Sequence, residues 1–169
     1  DYRISEQYYT RALRQDPNNP ALMEYLIMAH ISLGQFAAAS PVAQRLDAQQ
    51  VDSQLVNMMQ IATGAAQGQY DDILLRIDQG KGIGALIDSL LVAWAITGQG
   101  KMSDALAAFD SVAEKQGVEA FARYHKALAL AHAGDFESAA EIFEQTVDAG
   151  IRLTRRGVIA QIQVLSQLD

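Results

Sequence analysis

The sequence predicts an all-α fold assembled from repeated pairs of helices, and three observations lead to this prediction. The composition, with only three prolines and 7% aromatic residues, favours helix over sheet. Apolar runs of helical length follow one another along the chain. A glycine, a polar residue and a bulky apolar residue separate these runs at four places: Gly34-Gln35-Phe36, Gly68-Gln69-Tyr70, Gly100-Lys101-Met102 and Gly134-Asp135-Phe136. These glycines are 34, 32 and 34 residues apart, which indicates an internal repeat.

Each of these four glycines is expected to end the first helix of a pair. Glycine adopts the left-handed backbone conformation without steric cost, and that conformation commonly terminates an α-helix. The polar residue that follows can open the second helix, and the bulky residue, such as Phe36 or Phe136, can fill the space between the two helices. Every unit is therefore predicted to be a helical hairpin that turns at the glycine.

Small and large residues stand in the predicted second helices at constant distances from the glycine. The small residue, five positions after the glycine, is Ala39, Ala105 or Ala139, and a large residue follows four positions later at Phe109 and Phe143. Small residues let paired helices approach closely, and the aromatic side chains fill the space beside them. The spacing therefore predicts the buried side of each second helix.

The end of the first predicted helix is typical of a junction between repeats and reads Ala12-Leu13-Arg14-Gln15-Asp16-Pro17-Asn18-Asn19-Pro20. Asn19 can cap the next helix, and Pro20 suits its first position. With a period near 34, the hairpins and this junction resemble the tetratricopeptide repeat over nearly the whole chain. The resemblance implies a right-handed α-solenoid, a superhelix of helix–turn–helix hairpins, whose first helices line the concave surface.

We interpret residues 1–169 as a single domain of this kind. Residues 1–19 are predicted to be the second helix of a truncated repeat. Complete hairpins are predicted to follow at 20–53, 54–85, 86–119 and 120–153. Residues 154–169 are predicted to form a capping helix or the first helix of a further repeat, with Val158, Ile162 and Leu165 spaced to face the preceding helices.

Two places depart from the repeat. The third unit has Gly64 where a bulky residue is expected and Ile73 where a small one is expected, so its register could shift by a residue or two. Pro41 lies inside a predicted second helix and is expected to remove a backbone hydrogen bond or to shorten that helix.

The resemblance places a mainly apolar set of residues on the concave surface. Independently of it, the segment from Leu86 to Ile96 is apolar on almost every side, so it needs more cover than the neighbours of a solenoid helix supply. Trp94, Phe121 and Tyr124 are of the residue types that dominate binding energetics when a ligand buries them, although apolar residues at helical spacing belong to the core more often. The candidate partner-binding residues are Met28, Met58, Leu90, Trp94, Phe121 and Tyr124.

The chemistry of this surface favours an extended apolar peptide or an amphipathic helix as the ligand. A known subclass of these repeats holds a terminal carboxylate with Lys, Asn and Arg side chains. The corresponding positions here carry Glu24, Met28, Leu90 and Tyr124, so that specificity is not expected.

No motif in the sequence predicts catalysis, a cofactor or a metal. The segment Gly80-Lys81-Gly82-Ile83-Gly84 lacks the spacing and the Ser or Thr of a phosphate-binding loop and is interpreted as a turn between hairpins. His125 and His132 are seven residues apart on one predicted helix, without the carboxylate that zinc hydrolase motifs add. Arg152, Arg155 and Arg156 form the sole basic cluster, which is usually a solvated end but could contact an acidic partner or a further repeat.

The leading hypothesis is therefore a protein-interaction scaffold that is not an enzyme and that binds a peptide, helix or client protein in its apolar groove. The alternative is a structural module whose groove is filled by further repeats or by a second copy. A net charge of −7 argues against binding to nucleic acid, and the apolar stretch from Ile83 to Ile96 is too short for membrane insertion. Tyr8–Leu13, Tyr124–Leu130 and Thr154–Val158 resemble exported alphaproteobacterial proteins of this family, which favours a bacterial periplasmic setting over the cytoplasm.

Overall fold

The structure, a computed structural model, describes residues 1–168, which form ten α-helices and no strand. The all-α prediction is therefore confirmed for this part of the chain. The helices are α1 Tyr2–Gln15, α2 Pro20–Ser32, α3 Phe36–Asp47, α4 Gln54–Ala66, α5 Tyr70–Asp78, α6 Ala85–Gly98, α7 Met102–Ala113, α8 Glu119–His132, α9 Phe136–Asp148 and α10 Arg155–Leu165. Asp169, the last residue of the predicted final segment, lies outside the described residues.

The helices fall into two compact units. Unit 1 holds α1 to α5 in residues 1–83, and unit 2 begins at Gly84 and holds α6 to α10. In both units each helix packs against the next, and alternate helices also touch: α2 with α4 in unit 1, and α8 with both α6 and α10 in unit 2. This arrangement of hairpins is that of an α-solenoid. The single domain over 1–169 stays a prediction.

The four repeating glycines end helices as predicted. Gly34, Gly68, Gly100 and Gly134 all have positive φ angles, of 71°, 70°, 76° and 87°. At the first of them, the Gln35 amide donates to the His30 carbonyl at 2.8 Å, which closes the end of α2. Glycine is needed at these positions, because residues with a Cβ atom rarely adopt this backbone conformation.

The predicted junction before the first complete hairpin is also confirmed. The side chain of Asn19 accepts a hydrogen bond from the Leu22 amide at 3.1 Å, and Pro20 is the first residue of α2. The same kind of cap opens α4 at Ser53, α9 at Asp135 and α10 at Thr154. These side chains satisfy amides that have no partner inside the helix.

The predicted small and large positions of the second helices are buried. Ala39, Ala105 and Ala139 are inaccessible to solvent, and Phe109 and Phe143 are at most 1% exposed. In unit 1 the core joins α1 to α4 through Leu13, Met23, Ile27, Leu46 and Val56, among others. In unit 2 two clusters form, around Phe109 for α6 to α8 and around Phe143 for α8 to α10.

The departures in the third hairpin compensate each other. A Cβ atom built on Gly64 of α4 would lie 3.3 Å from Cγ1 of Ile73 on α5, so the glycine makes room for the larger residue. The shorter spacing to the next glycine arises because α5 has only nine residues. Arg76 of α5 donates to both carboxylate oxygens of Asp47, at 3.0 and 3.2 Å, and these two hydrogen bonds lower the pKa of Asp47. Arg76 also donates to the Asn57 side chain.

Two expectations about α3 have different outcomes. Pro41 lies inside the helix and removes one hydrogen bond, but α3 is not shortened, because it has twelve residues like α7. The expectation that Phe36 fills the space between α2 and α3 is wrong, since its side chain is 57% exposed. Met23 and Ile27 fill that space against Ala39 and neighbouring residues.

The prediction for the last helix is wrong about the face that it buries. Val158, Ile162 and Leu165 of α10 are exposed, and Gly157, Ala160 and Val164 are buried instead. The two sets have similar helical spacing, so periodicity alone could not separate them. Small side chains on the buried face let α10 approach its neighbours closely, and Ala160 and Val164 pack in the core around Phe143.

Candidate functional site

Three of the six candidate binding residues converge on one histidine in unit 2. His125, on α8, meets the rings of Trp94, Phe121 and Tyr124 edge to face, with centroid separations of 6.0, 4.6 and 5.2 Å. Phe121 lies one turn before His125 on the same helix, whereas Trp94 comes from α6. Such edge-to-face contacts add specific geometry to the apolar burial of the rings. We call these four residues the aromatic cluster.

A hydrogen bond between Trp94 and His125 holds the centre of the cluster. The two atoms, Nε1 of Trp94 and Nδ1 of His125, are 3.0 Å apart. The indole N–H is a donor only, so Nδ1 of His125 must accept and the imidazole must carry its proton on Nε2. Burial lowers the pKa of His125 below its ordinary value, because the charged form is poorly solvated there. The ring is therefore neutral at physiological pH.

Acidification is expected to destabilise unit 2 through His125. The unfolded chain takes up a proton near pH 6.5, whereas the folded chain does so only at lower pH, so the unfolding free energy falls as pH drops below about 6.5 and levels off once the folded state is also protonated. Urea unfolding followed by Trp94 fluorescence at about pH 5 and about pH 7.5 measures this. His125→Asn, which keeps an acceptor near Nδ1 and does not titrate, should reduce the pH dependence, and the exposed His132→Asn should not. Equal pH dependence in wild type and His125→Asn would contradict the assignment.

A cavity of about 650 Å³ opens beside the cluster, between the start of α8 and the start of α10. On the α8 side its lining residues are Gly117, Ala120, Phe121, Tyr124 and His125, and on the α10 side they are Leu153, Thr154, Arg155, Arg156 and Gly157. We call it the aromatic cavity. Its volume lies in the range of pockets that hold small ligands or a few side chains of a peptide.

The aromatic cavity combines an apolar wall with a positive rim. Arg155 and Arg156 are exposed, and no ion pair of either one is found among the described residues. None of the residues that line the cavity is acidic. The nearest carboxylate along α8, Glu119, is already paired with Arg123 at 2.7 Å. The cavity therefore has a local positive charge on a chain whose net charge is −7.

The other three candidate residues lie outside the aromatic cluster. Leu90 is 6% exposed and packs in the core around Phe109, so its assignment to a binding surface is wrong. It was assigned by its position in the repeat, but α7 and α8 cover that side of α6. Met28 and Met58 are exposed to 51% and 37% on α2 and α4 of unit 1. They are available to a partner but do not belong to the aromatic cavity.

Sequence reasoning does not identify His125 or Leu153 as contributors to this site. The sequence marks His125 only as a candidate metal ligand, although its position four residues after Phe121 puts both side chains on one helix face. No sequence pattern singles out Leu153. Arg155 and Arg156 were recognised as part of a basic cluster, but nothing in the sequence placed that cluster opposite the start of α8.

Two kinds of feature are absent from the part of the chain that the structure describes. No group of three or more His, Cys, Asp or Glu side chains is arranged to hold a metal ion. No helix there is both long enough and apolar enough to cross a lipid bilayer.

Two segments of the chain match models of one known family. Two family models, each described as a tetratricopeptide repeat, match residues 1–60 and 97–152, which together make up more than half of the 169 residues. The second match contains three members of the aromatic cluster, Phe121, Tyr124 and His125, and ends before the arginines of α10. No curated protein sequence matches the chain, so its likeness to exported alphaproteobacterial proteins stays a prediction.

Proposed function

The chain belongs to the tetratricopeptide-repeat family, and on that premise we propose that it is a protein-interaction module whose ligand, a peptide or helix of a partner protein, binds in the aromatic cavity. Repeats of this family generally mediate contacts between proteins. Each hairpin touches only its neighbours, which leaves a long surface free for a ligand. In this proposal, neither catalysis nor a cofactor is needed.

The observation that carries the proposal is the exposure of Phe121 at the cavity. Its side chain is 46% exposed although it contacts the His125 ring at 4.6 Å. Burial of the remaining apolar surface by a ligand is favourable, and aromatic anchors of this kind supply much of the binding energy at protein interfaces.

Preorganisation of the cluster strengthens this argument. Tyr124 packs against the core around Phe143, and His125 is held by its hydrogen bond to Trp94. Side chains that are already fixed lose little rotamer entropy when a ligand arrives. The wall of the cavity can therefore bind without first being ordered.

Phe121→Ala is expected to weaken the binding of partner peptides at least about tenfold, because it removes the exposed aromatic surface of the cavity. The peptides come from selection of a random peptide library on the purified chain, and their affinities are measured by fluorescence anisotropy. Phe36→Ala is the matched control, since Phe36 is also an exposed phenylalanine at a helix start but lies in unit 1. It should leave those affinities unchanged.

Two results would reject the proposal. The first is a selection that yields no peptide whose affinity depends on Phe121. The second is an equal loss of binding in the Phe36 and Phe121 variants, because the loss would then not report on the cavity. Circular dichroism of both variants verifies that they are folded.

Self-association is the competing function, and the exposed face of α10 favours it. Val158, Ile162 and Leu165 form an apolar strip that none of the described residues covers fully. A second copy of the chain would bury such a strip. Light scattering over a wide concentration range separates the two functions: a chain that stays monomeric while it binds peptides is an interaction module and not an oligomerisation module.

A further inference from the structure

We propose that the ligand of the aromatic cavity is an acidic peptide segment in which one or two carboxylates adjoin an apolar side chain. This inference rests on the proposed function and specifies the chemistry of the partner. It follows from the distribution of charge around the cavity, which differs from the charge of the chain as a whole.

The rim of the cavity carries two arginine side chains. Three other cationic side chains already have carboxylate partners: Arg76 pairs with Asp47, Arg123 with Glu119 and Lys126 with Asp110. Arg155 and Arg156 have none among the described residues, and both line the cavity. Two adjacent unpaired guanidinium groups attract an anion and repel a cation, so the cavity selects ligands by charge.

The anion that the two arginines favour is a carboxylate. The planar guanidinium group of arginine donates two parallel hydrogen bonds to a carboxylate, which gives geometric specificity as well as attraction. The positive end of α10 has the same sign, although the Thr154 side chain already accepts from the Gly157 amide at 3.1 Å. The arginines are therefore the groups that would bind the carboxylate.

The rest of the cavity favours an apolar group on the ligand. Phe121 and Tyr124 form the opposite wall, and Leu153 adds apolar surface on the α10 side. His125 beside Phe121 accepts the Trp94 hydrogen bond, and burial lowers its pKa, so the ring is neutral. A purely acidic segment would leave this wall in contact with water, and a purely apolar segment would leave the arginines without partners. A carboxylate next to a Leu, Phe or Trp side chain satisfies both parts of the cavity.

The test uses synthetic peptides of defined chemistry. One array carries short peptides with a Glu-Glu pair next to Leu, Phe or Trp, and a second array carries the same peptides with Gln-Gln in place of Glu-Glu. Binding of the full chain is quantified by fluorescence anisotropy for the best pairs. We expect the Glu peptides to bind at least about tenfold more tightly, with an affinity that falls as salt is raised from about 0.05 M to about 0.5 M.

Variants of the chain assign the effect to the cavity. Arg155→Gln combined with Arg156→Gln should lower the affinity for Glu peptides about tenfold and leave that for Gln peptides unchanged. Arg11→Gln combined with Arg14→Gln is the matched control, because it removes the same charge from two exposed arginines of α1 in unit 1. The inference is overturned if the control lowers the affinity equally, or if Glu and Gln peptides bind alike.

Failure of this inference is distinguishable from failure of the proposed function. If library selection yields peptides that need Phe121 but neither array binds, the acidic ligand is wrong and the interaction module stands. If the array peptides bind equally well to wild type and Phe121→Ala, both the cavity and its acidic ligand are rejected.

Discussion

Phe109→Ala is expected to lower the free energy of unfolding of unit 2 by about 3–5 kcal/mol, the usual cost of truncating a phenylalanine in a packed core. Phe109 is completely buried at the centre of the cluster that joins α6, α7 and α8. Its ring also meets the Trp94 ring edge to face at a centroid distance of 5.6 Å. The substitution therefore removes apolar burial, leaves a cavity and takes away the support of Trp94.

Urea unfolding followed by tryptophan fluorescence measures this loss directly, because Trp94 is the only tryptophan and lies in unit 2. Phe121→Ala is the matched control: it makes the same chemical change at an exposed position and should cost less than about 1 kcal/mol. If the two variants were equally stable, Phe109 would not have the central role in packing that its burial indicates.

Gly64→Leu is expected to destabilise unit 1 by about 2–3 kcal/mol, because the new side chain would collide with Ile73. A Cβ atom alone would already lie 3.3 Å from Cγ1 of Ile73, closer than most packed atoms. Replacing glycine by leucine also favours the helix by somewhat less than about 1 kcal/mol, and this effect by itself would stabilise unit 1. Any net loss of stability must therefore come from packing between α4 and α5.

The double variant Gly64→Leu with Ile73→Ala is expected to recover part of the loss, since it restores one large and one small residue in that contact. Hydrogen exchange of peptides from residues 1–83, read by mass spectrometry, reports on unit 1 alone. Ala62→Leu, at an exposed position of α4, is the control and should not accelerate exchange. Additive effects of the two single changes would show that Gly64 and Ile73 do not compensate each other.

The candidate site was only partly accessible to sequence reasoning. Trp94, Phe121 and Tyr124 occupy groove positions of the repeat on predicted first helices, and the structure brings all three to His125. Leu90 occupies the same kind of position, but it is buried. The four residues have the same local pattern, so only the side chains that surround them distinguish core from surface.

The arginines of α10 show that sequence can reveal a charge without revealing where it lies in the fold. Their charge was evident in the sequence, but their position opposite Phe121 depends on how α10 packs against α8 and α9. That packing uses Gly157, Ala160 and Val164 and not the larger apolar residues that were expected. A helix placed by its other face would carry Arg155 and Arg156 elsewhere.

The sequence by itself determined the all-helical class, the hairpin period and the glycines at which the first helices end. These features are local, because a cap such as Asn19 and a left-handed residue such as Gly34 act within one turn of the chain. Only the tertiary structure decided which face α10 buries, how Gly64 accommodates Ile73 and which aromatic residues surround His125. Those outcomes depend on how neighbouring helices pack against each other, and in a close-packed interior even a small difference in side-chain volume is felt.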